Sequence, residues 1–217
     1  MTELEEIFKT VDHFSDKWQP YFEVYTRHLS RFRDKEITLV EIGVQGGGSL
    51  DMWSIFLPNA KIIGIDNDPE CQKLQYKSPN VQVIYGDQAD PNFWQVFFEE
   101  HPQIDVVVDD GGHEMHQQVI SLENCFPKLK VGGIYITEDC HTSYMPDYKA
   151  EIFHPGTFIE YAKIGVDILN ANWRTKTHQE LERRIPIFQD LSGVFFYDSM
   201  VVFEKFGKRE MNRVFSK

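Results

Sequence analysis

Acidic residues and histidines crowd into residues 106–118, which read VVVDDGGHEMHQQ. The three valines predict a buried strand, and Asp110 and His113 follow directly after it. A second acidic pair, Glu138 and Asp139, ends the apolar run VGGIYITED. Carboxylates and imidazoles in this pattern are suited to bind a cation and to move a proton. If the two strand ends lie side by side, these groups form one site.

Three carboxylates in one pocket raise one another's pKa unless a cation compensates their charge. Oxygen ligands select a hard ion, so Asp110, Glu138 and Asp139 are predicted to bind Mg²⁺ or a similar divalent cation. Such an ion makes a hydroxyl easier to deprotonate, and His113 is placed to take the proton. The predicted catalytic residues are therefore His113 and Asp110.

The same residues also have structural interpretations. Asp109 is suited to cap the next helix or to accept backbone amides. His116, at the start of a helix, is suited to be a cap or a group behind the ligands as readily as a ligand itself. Glu138 and Asp139 taken alone would be an ordinary strand end. Their combination with Asp110 and His113 at one sheet edge favours the functional interpretation.

Strands and helices alternate along the chain, which predicts a Rossmann-like α/β fold. Apolar runs predict five strands, at residues 36–44, 61–66, 80–87, 104–110 and 131–139, with helical segments at 46–56, 69–77, 92–101 and 116–129 between them. Parallel neighbours need crossover connections, so we expect a mostly parallel sheet with helices on both faces.

The two ends of the chain complete this prediction. Residues 193–206 predict a hairpin around Asp198 and Ser199, which makes seven strands with the last one reversed. Residues 151–192 predict helix and loop. We expect one domain over residues 1–217, with an N-terminal helical segment at 1–35 and a core at 36–206.

A glycine-rich turn follows the first strand, where open α/β sheets bind their ligands. Gly43 and the run of three glycines at 46–48 let the backbone approach a ligand, although a tight turn alone would also use them. Asp66, twenty residues after Gly46, is correctly spaced to hold ribose hydroxyls of a nicotinamide dinucleotide or of S-adenosylmethionine (SAM).

Two acidic positions favour SAM over a dinucleotide. Glu41 stands just before the first glycine, where a cationic amino-acid tail would be held, and Asp87 and Gln88 are placed to bind an adenine edge. Ser49 is expected to cap the following helix. The residues predicted to bind the cofactor are Glu41, Gly43, Gln45, Ser49, Asp66, Asp87, Gln88 and Asp109.

Composition narrows the class of protein. A net charge of −12 disfavours nucleic acid as a partner, because phosphate binding needs a basic patch. The three cysteines form no CxxC pair, which fits a reducing compartment. No apolar run is long enough to cross a membrane, and the N-terminus is acidic where a signal peptide would be basic. We expect a cytoplasmic protein.

The motifs resemble those of the SAM-dependent sugar O-methyltransferases of the macrocin and mycinamicin type, which are class I methyltransferases. The resemblance covers roughly residues 15–145 and is strongest in the following segments: SDKWQPYFEVYTRHL, RDKEITLVEIGVQGGGSLDMWSIFLPNAKIIGID, GDQAD, DVVVDDGGHEMHQQ, FPKLKVGGIYITED and HTSY. It implies SAM and Mg²⁺ as cofactors, a deoxysugar such as rhamnose on a glycan or natural product as acceptor, and a homo-oligomer.

By this resemblance Asp110, Glu138 and Asp139 match the family's Mg²⁺ ligands. His113 matches the general base of one branch, whereas another branch uses an aspartate. The chain departs from the pattern in having Gly112 where serine is frequent, and in lacking the family's histidine near residues 19–20.

The resemblance also implies that a segment around Asp16, Lys17 and Tyr21 closes the site. Tyr21, His141 and Tyr144 are then predicted to contact the acceptor, although core packing would equally explain the aromatics. The region after residue 148 matches no pattern and leaves the acceptor open. Two other functions remain: a nicotinamide-dependent sugar oxidoreductase and a non-catalytic SAM-binding protein.

Overall fold

Seven strands form one sheet in this computed structural model, which describes residues 1–170, 186–188, 190–207 and 213–216. The strands are β1 (Thr38–Ile42), β2 (Lys61–Asp66), β3 (Val81–Tyr85), β4 (Ile104–Asp109), β5 (Leu129–Thr137), β6 (Leu191–Tyr197) and β7 (Met200–Lys205). Their order is β3-β2-β1-β4-β5-β7-β6, and β7 runs antiparallel to both of its neighbours. The predicted fold and the hairpin around Asp198 and Ser199 are therefore confirmed.

Six α-helices accompany the sheet: α1 (Glu3–Phe8), α2 (Tyr21–Leu29), α3 (Gly48–Phe56), α4 (Pro91–Glu100), α5 (Met115–Cys125) and α6 (Phe158–Leu169), all within the described ranges. Their packing makes two cores. Leu50 and Trp53 of α3 bury against one face of the sheet together with side chains of α1 and α2. Trp94 of α4 and Phe158 of α6 bury against the other face.

Three local predictions need correction. The segment predicted as a helix at 69–77 is a 3-10 helix over Pro69–Lys73 only, because the backbone leaves the helical region at Leu74, where ψ is 136°. Helix α5 ends at Cys125 and not at residue 129, because Pro127 has no amide hydrogen to continue it. Ser49 lies inside the first turn of α3, whereas Gly47, with φ +91°, is the N-cap.

The N-terminal segment crosses the glycine-rich turn. Phe14 pairs with Gly47 in an isolated parallel bridge, and the Gly48 amide donates to the Phe14 carbonyl over 3.0 Å. The Asp51 carboxylate accepts from the His13 amide at 3.1 Å and lies 2.8 Å from His13 Nδ1. Residues 13–17 therefore form a strap over the end of β1.

Part of one prediction lies outside the described residues. Helix α6 agrees with the helix and loop predicted over 151–192, but residues 171–185 are not described. Among the helices described, none is both long and apolar enough to cross a membrane.

Candidate active site

The turn after β1 is built for close backbone approach. Gly43 has φ +89°, a region that side chains disfavour, and a Cβ atom there would lie 2.0 Å from the Asp110 carbonyl oxygen. The Gly43 amide donates to the Ile65 carbonyl over 2.8 Å. This glycine therefore allows the turn after β1 to lie directly against the turn after β4.

A cavity of about 530 Å³ opens at the carboxyl ends of β1 to β4. Its lining includes most of the predicted cofactor-binding residues, namely Gly43, Gln45, Ser49, Asp66, Asp87 and Gln88. Asp66 also holds the turn, because one of its oxygens accepts from the amides of Val44 at 2.8 Å and Gln45 at 3.1 Å. Asp16 of the strap lines the same cavity.

Two residues predicted to bind the cofactor, Glu41 and Asp109, lie behind the cavity wall. Glu41 is fully buried and accepts from Trp53 Nε1 at 3.0 Å, and burial raises its pKa to about 7. Asp109 accepts from Tyr135 Oη at 2.6 Å and from Gln88 Nε2 at 3.1 Å, and burial raises its pKa to about 7. Both therefore support the site from within the core.

Gln88 stands between the cavity and this buried layer. Its Oε1 accepts from the Gly112 amide at 2.8 Å, while its Nε2 donates to Asp109 and, at 3.0 Å, to Ser121 Oγ. The side-chain amide of Gln88 therefore already makes hydrogen bonds to the end of β4, to the loop after it and to α5. Asp87, by contrast, is exposed at the end of β3 and available to a ligand.

Asp110, His113 and Asp139 meet at the edge of the same cavity. Each offers a ligand atom within 4.8 Å of the others, and His113 Nε2 lies 3.8 Å from Asp110 Oδ1 and 3.4 Å from Asp139 Oδ2. The loop is fixed from behind, because Thr142 Oγ1 donates to the His113 carbonyl over 3.0 Å. The adjacent ends of β4 and β5 therefore bring Asp110, His113 and Asp139 together, whereas Glu138, the third predicted ligand, is not a member of this group.

Glu138 is buried beside this group and shares the ammonium of Lys17 with Asp110. It is 1% exposed; Tyr25 Oη donates to its Oε1, and Lys17 Nζ donates to its Oε2 over 2.9 Å. Lys17 also donates to Asp110 Oδ2 and lies 3.7 Å from Glu41 Oε1, with only 2% of its own side chain exposed. The buried ammonium of Lys17 thus lies within ion-pair distance of three carboxylates, those of Glu41, Asp110 and Glu138.

The electrostatics of this cluster are unbalanced. Burial opposes the ammonium, but Asp110, Glu138 and Glu41 together raise the pKa of Lys17 well above its ordinary value. Burial and the nearby Asp110 charge raise the pKa of Glu138 well above its ordinary value, although Lys17 acts against them. Either a proton on one of the acids or a further cation beside the group would relieve the repulsion between these carboxylates.

The residues predicted to contact the acceptor are spread around Asp139. Tyr21 Oη donates to Asp139 Oδ1 over 2.6 Å and lies 2.9 Å from Ser199 Oγ. The His141 amide also donates to Ser199 Oγ, over 3.4 Å. Tyr144 is half exposed beyond them. His116 lies at the surface, with Nδ1 3.4 Å from Glu114 Oε2.

Sequence reasoning missed Ser199 and Tyr25 as site residues. The hairpin turn places Ser199, with φ +63°, in contact with Tyr21. In the sequence, Ser199 is indicated only as a turn residue. Tyr25 lies one helical turn after Tyr21, and this i, i+4 spacing was the available signal that both hydroxyls face one side.

The sequence of the chain is similar to those of known methyltransferases. Residues 40–140 match the family model described as a methyltransferase domain. The 8-demethyl-8-alpha-L-rhamnosyl tetracenomycin-C 2'-O-methyltransferase of Streptomyces olivaceus is 36% identical over 207 residues, 89% of this chain and 52% of that protein. The mycinamicin VI 2''-O-methyltransferase of Micromonospora griseorubida is 30% identical over 83% of this chain and 47% of that protein.

The fold is shared as well. The methyltransferase MycE, solved with Mg, SAH and mycinamycin VI, is 25% identical and superposes with a TM-score of 0.79 over 94% of this chain and 53% of that one. Fold and sequence together define a class I methyltransferase domain. The sequence is similar to those of the sugar O-methyltransferases of the macrocin and mycinamicin type, and the chain spans about half the length of the curated relatives it matches.

Proposed function

We propose that this chain is a SAM-dependent O-methyltransferase that transfers a methyl group to a sugar hydroxyl with the assistance of Mg²⁺. The observation that carries the proposal is the meeting of Asp110, His113 and Asp139 on the wall of the cofactor cavity. A cation site and a base therefore adjoin the place where a methyl donor would lie.

The cavity fits SAM in volume and chemistry. The glycine turn, with Gln45 and Ser49, would face the methionine end, where Gly43 allows close approach. Asp66 would hold the ribose hydroxyls, and Asp87 the adenine edge. Glu41 and Asp109 would act from behind the wall by shaping the turns that touch the cofactor.

The residues present also fit a divalent cation. Two carboxylates and an imidazole lie close enough to share one ion, and Asp110 and the buried Glu138 both contact the ammonium of Lys17. We propose Asp110 and Asp139 as ligands, with Glu138 as the third. Bound there, Mg²⁺ would lower the pKa of an acceptor hydroxyl and orient it.

The chain's own groups would supply the rest of the mechanism. His113 Nε2, exposed to the cavity beside both aspartates, would remove the acceptor proton as the oxygen attacks the methyl group. Tyr21 would hold Asp139 in place through its hydrogen bond. The strap at residues 13–17 would cover the glycine turn and exclude water. Correct positioning of the reactants would contribute a large share of the rate.

The acceptor is proposed by analogy with the two tetracenomycin-C methyltransferases of Streptomyces olivaceus, whose names specify a rhamnosyl group. We therefore propose a deoxysugar such as rhamnose, contacted by Tyr21, His141 and Tyr144. A homo-oligomer and the absence of nucleic-acid partners remain predictions. The nicotinamide alternative required a sixth parallel βα unit, whereas the described sheet closes with antiparallel β7.

Calorimetric titration tests the proposal. S-adenosylhomocysteine should bind both with Mg²⁺ and with chelator, whereas a rhamnoside should bind only with Mg²⁺ and be methylated when SAM is supplied. Binding of the cofactor without transfer to any glycoside would favour a non-catalytic SAM-binding protein. Absence of S-adenosylhomocysteine binding would contradict the assignment of the cavity.

A further inference from the structure

The ammonium of Lys17 occupies the inner side of the proposed metal site. It contacts Asp110 and Glu138, two of the three proposed ligands, and is almost completely shielded from water. A divalent ion that recruits Glu138 must therefore compete with Lys17 for the same oxygens. Like charges this close repel strongly in a buried environment.

Glu41 is a further carboxylate close to the ammonium of Lys17. Glu41 Oε1 accepts no hydrogen bond from the described residues, although it is fully buried and lies 3.7 Å from Lys17 Nζ. Buried polar atoms are normally partnered, so an unpartnered carboxylate oxygen beside an ammonium needs an explanation. A small movement of the long Lys17 side chain would bring the two into contact.

We infer that Lys17 is a resident counter-ion, which holds Asp110 and Glu138 when no metal is bound and transfers to Glu41 when the divalent ion arrives. This inference rests on the proposed metal site. It assigns Lys17 a positioning role, because it acts through the ligands. Lys17 also belongs to the strap that crosses the glycine turn, so its movement links the metal site to the cover of the cofactor cavity.

The sign of the effect separates this role from a simple structural one. If Lys17 only held the ligands in place, its removal would weaken metal binding. If it competes with the ion, its removal should strengthen metal binding, because the carboxylates then have no internal cation. The same removal should destabilise the metal-free protein.

The experiment measures Mn²⁺ binding at pH 8 in the full chain, with S-adenosylhomocysteine present, by calorimetry and by electron paramagnetic resonance of free Mn²⁺. Lys17→Met should bind Mn²⁺ at least about tenfold more tightly than the wild type. Lys17→Arg, which keeps the charge, should stay within about threefold. Lys9→Met, which removes a surface ammonium paired with Glu5, is the matched control and should not change the affinity.

Thermal unfolding supplies a second readout. In chelator, Lys17→Met should unfold at a lower temperature than the wild type, and saturating Mn²⁺ should remove most of that difference. Equal or weaker Mn²⁺ binding by Lys17→Met would overturn the inference while leaving the proposed function intact. Failure of the wild type to bind Mn²⁺ would overturn both.

Glu41→Gln tests whether Glu41 receives the ammonium of Lys17 when the metal binds. This test does not depend on the folding of the lysine variant. It removes the anion that receives the ammonium, so Lys17 should remain with Asp110 and Glu138, and Mn²⁺ affinity should fall several-fold. An affinity equal to that of the wild type would show that Glu41 does not receive the ammonium.

Discussion

His113 Nε2 lies 3.4 Å from Asp139 Oδ2, and both residues have left-handed backbone conformations, with φ of +56° and +52°. Non-glycine residues in this region carry strain and persist only where their surroundings enforce it. Each therefore turns its side chain toward the cavity at a local cost in stability. Strained backbone conformations of this kind cluster at functional sites. Asp139 and His113 are therefore the first residues to replace.

Replacement of Asp139 should separate chemistry from cofactor binding. Asp139→Ala removes a proposed metal ligand that does not belong to the predicted cofactor contacts, so turnover should fall by at least about 100-fold. The dissociation constant for S-adenosylhomocysteine, measured by calorimetry, should change by less than about threefold. Equal turnover with and without this carboxylate would exclude the metal assignment.

His113→Gln should distinguish a base from a ligand. A general base contributes about 10²- to 10⁴-fold, so kcat should fall by that amount, while Mn²⁺ affinity should remain within about threefold. His116→Gln, which alters a surface imidazole three residues further along the chain, should leave kcat unchanged. A parallel loss of rate and metal affinity in His113→Gln would instead make this imidazole a ligand and shift the role of base to an aspartate.

Gly43→Ala should disrupt the turn beyond the ordinary strain of a left-handed residue. Gly132 has nearly the same φ, +92°, but no atom lies within 4 Å of a Cβ placed there, so Gly132→Ala measures conformational strain alone, about 1–2 kcal/mol. Gly43→Ala adds a clash with the Asp110 carbonyl and should cost about 1–3 kcal/mol more in urea unfolding. Equal losses in the two variants would show that the turn relaxes freely.

Cys71 should react slowly with iodoacetamide, and the rate should rise steeply with pH. Burial and the neighbouring Asp66 raise the pKa of its thiol to about 11, so the reactive thiolate is scarce at pH 8. The rate should increase about tenfold per pH unit from pH 8 to 10, whereas glutathione should level off above its own lower pKa. Mass spectrometry should locate the label.

Cys71→Ser is the control for this labelling, because Cys125 and Cys140 are more deeply buried and should not react. Saturating S-adenosylhomocysteine should slow the reaction, since Cys71 lines the cofactor cavity. Rapid labelling at pH 8, unaffected by the ligand, would contradict both the environment of the thiol and its position in the cavity wall.

Local patterns in the chain were enough to predict the sheet and the chemistry of its edge. Alternating or continuous apolar residues mark the strands, and the acids and glycines that follow mark their carboxyl ends. Because these ends meet at one edge of a parallel sheet, the sequence alone placed Asp66, Asp110 and Asp139 at that edge. The reversed last strand was also readable, because the turn at Asp198 and Ser199 is a local signal.

Only the tertiary structure decided which of these groups face the cavity and which partners they take. Glu41 and Glu138 have the same chemistry as Asp110 in the sequence, yet packing buries both against Lys17, which comes from a segment far away in the chain. Ser199 reaches Tyr21 across 178 positions. Such choices depend on side-chain contacts between distant segments, and these arise only when the strap, helix α2 and the hairpin pack on the sheet.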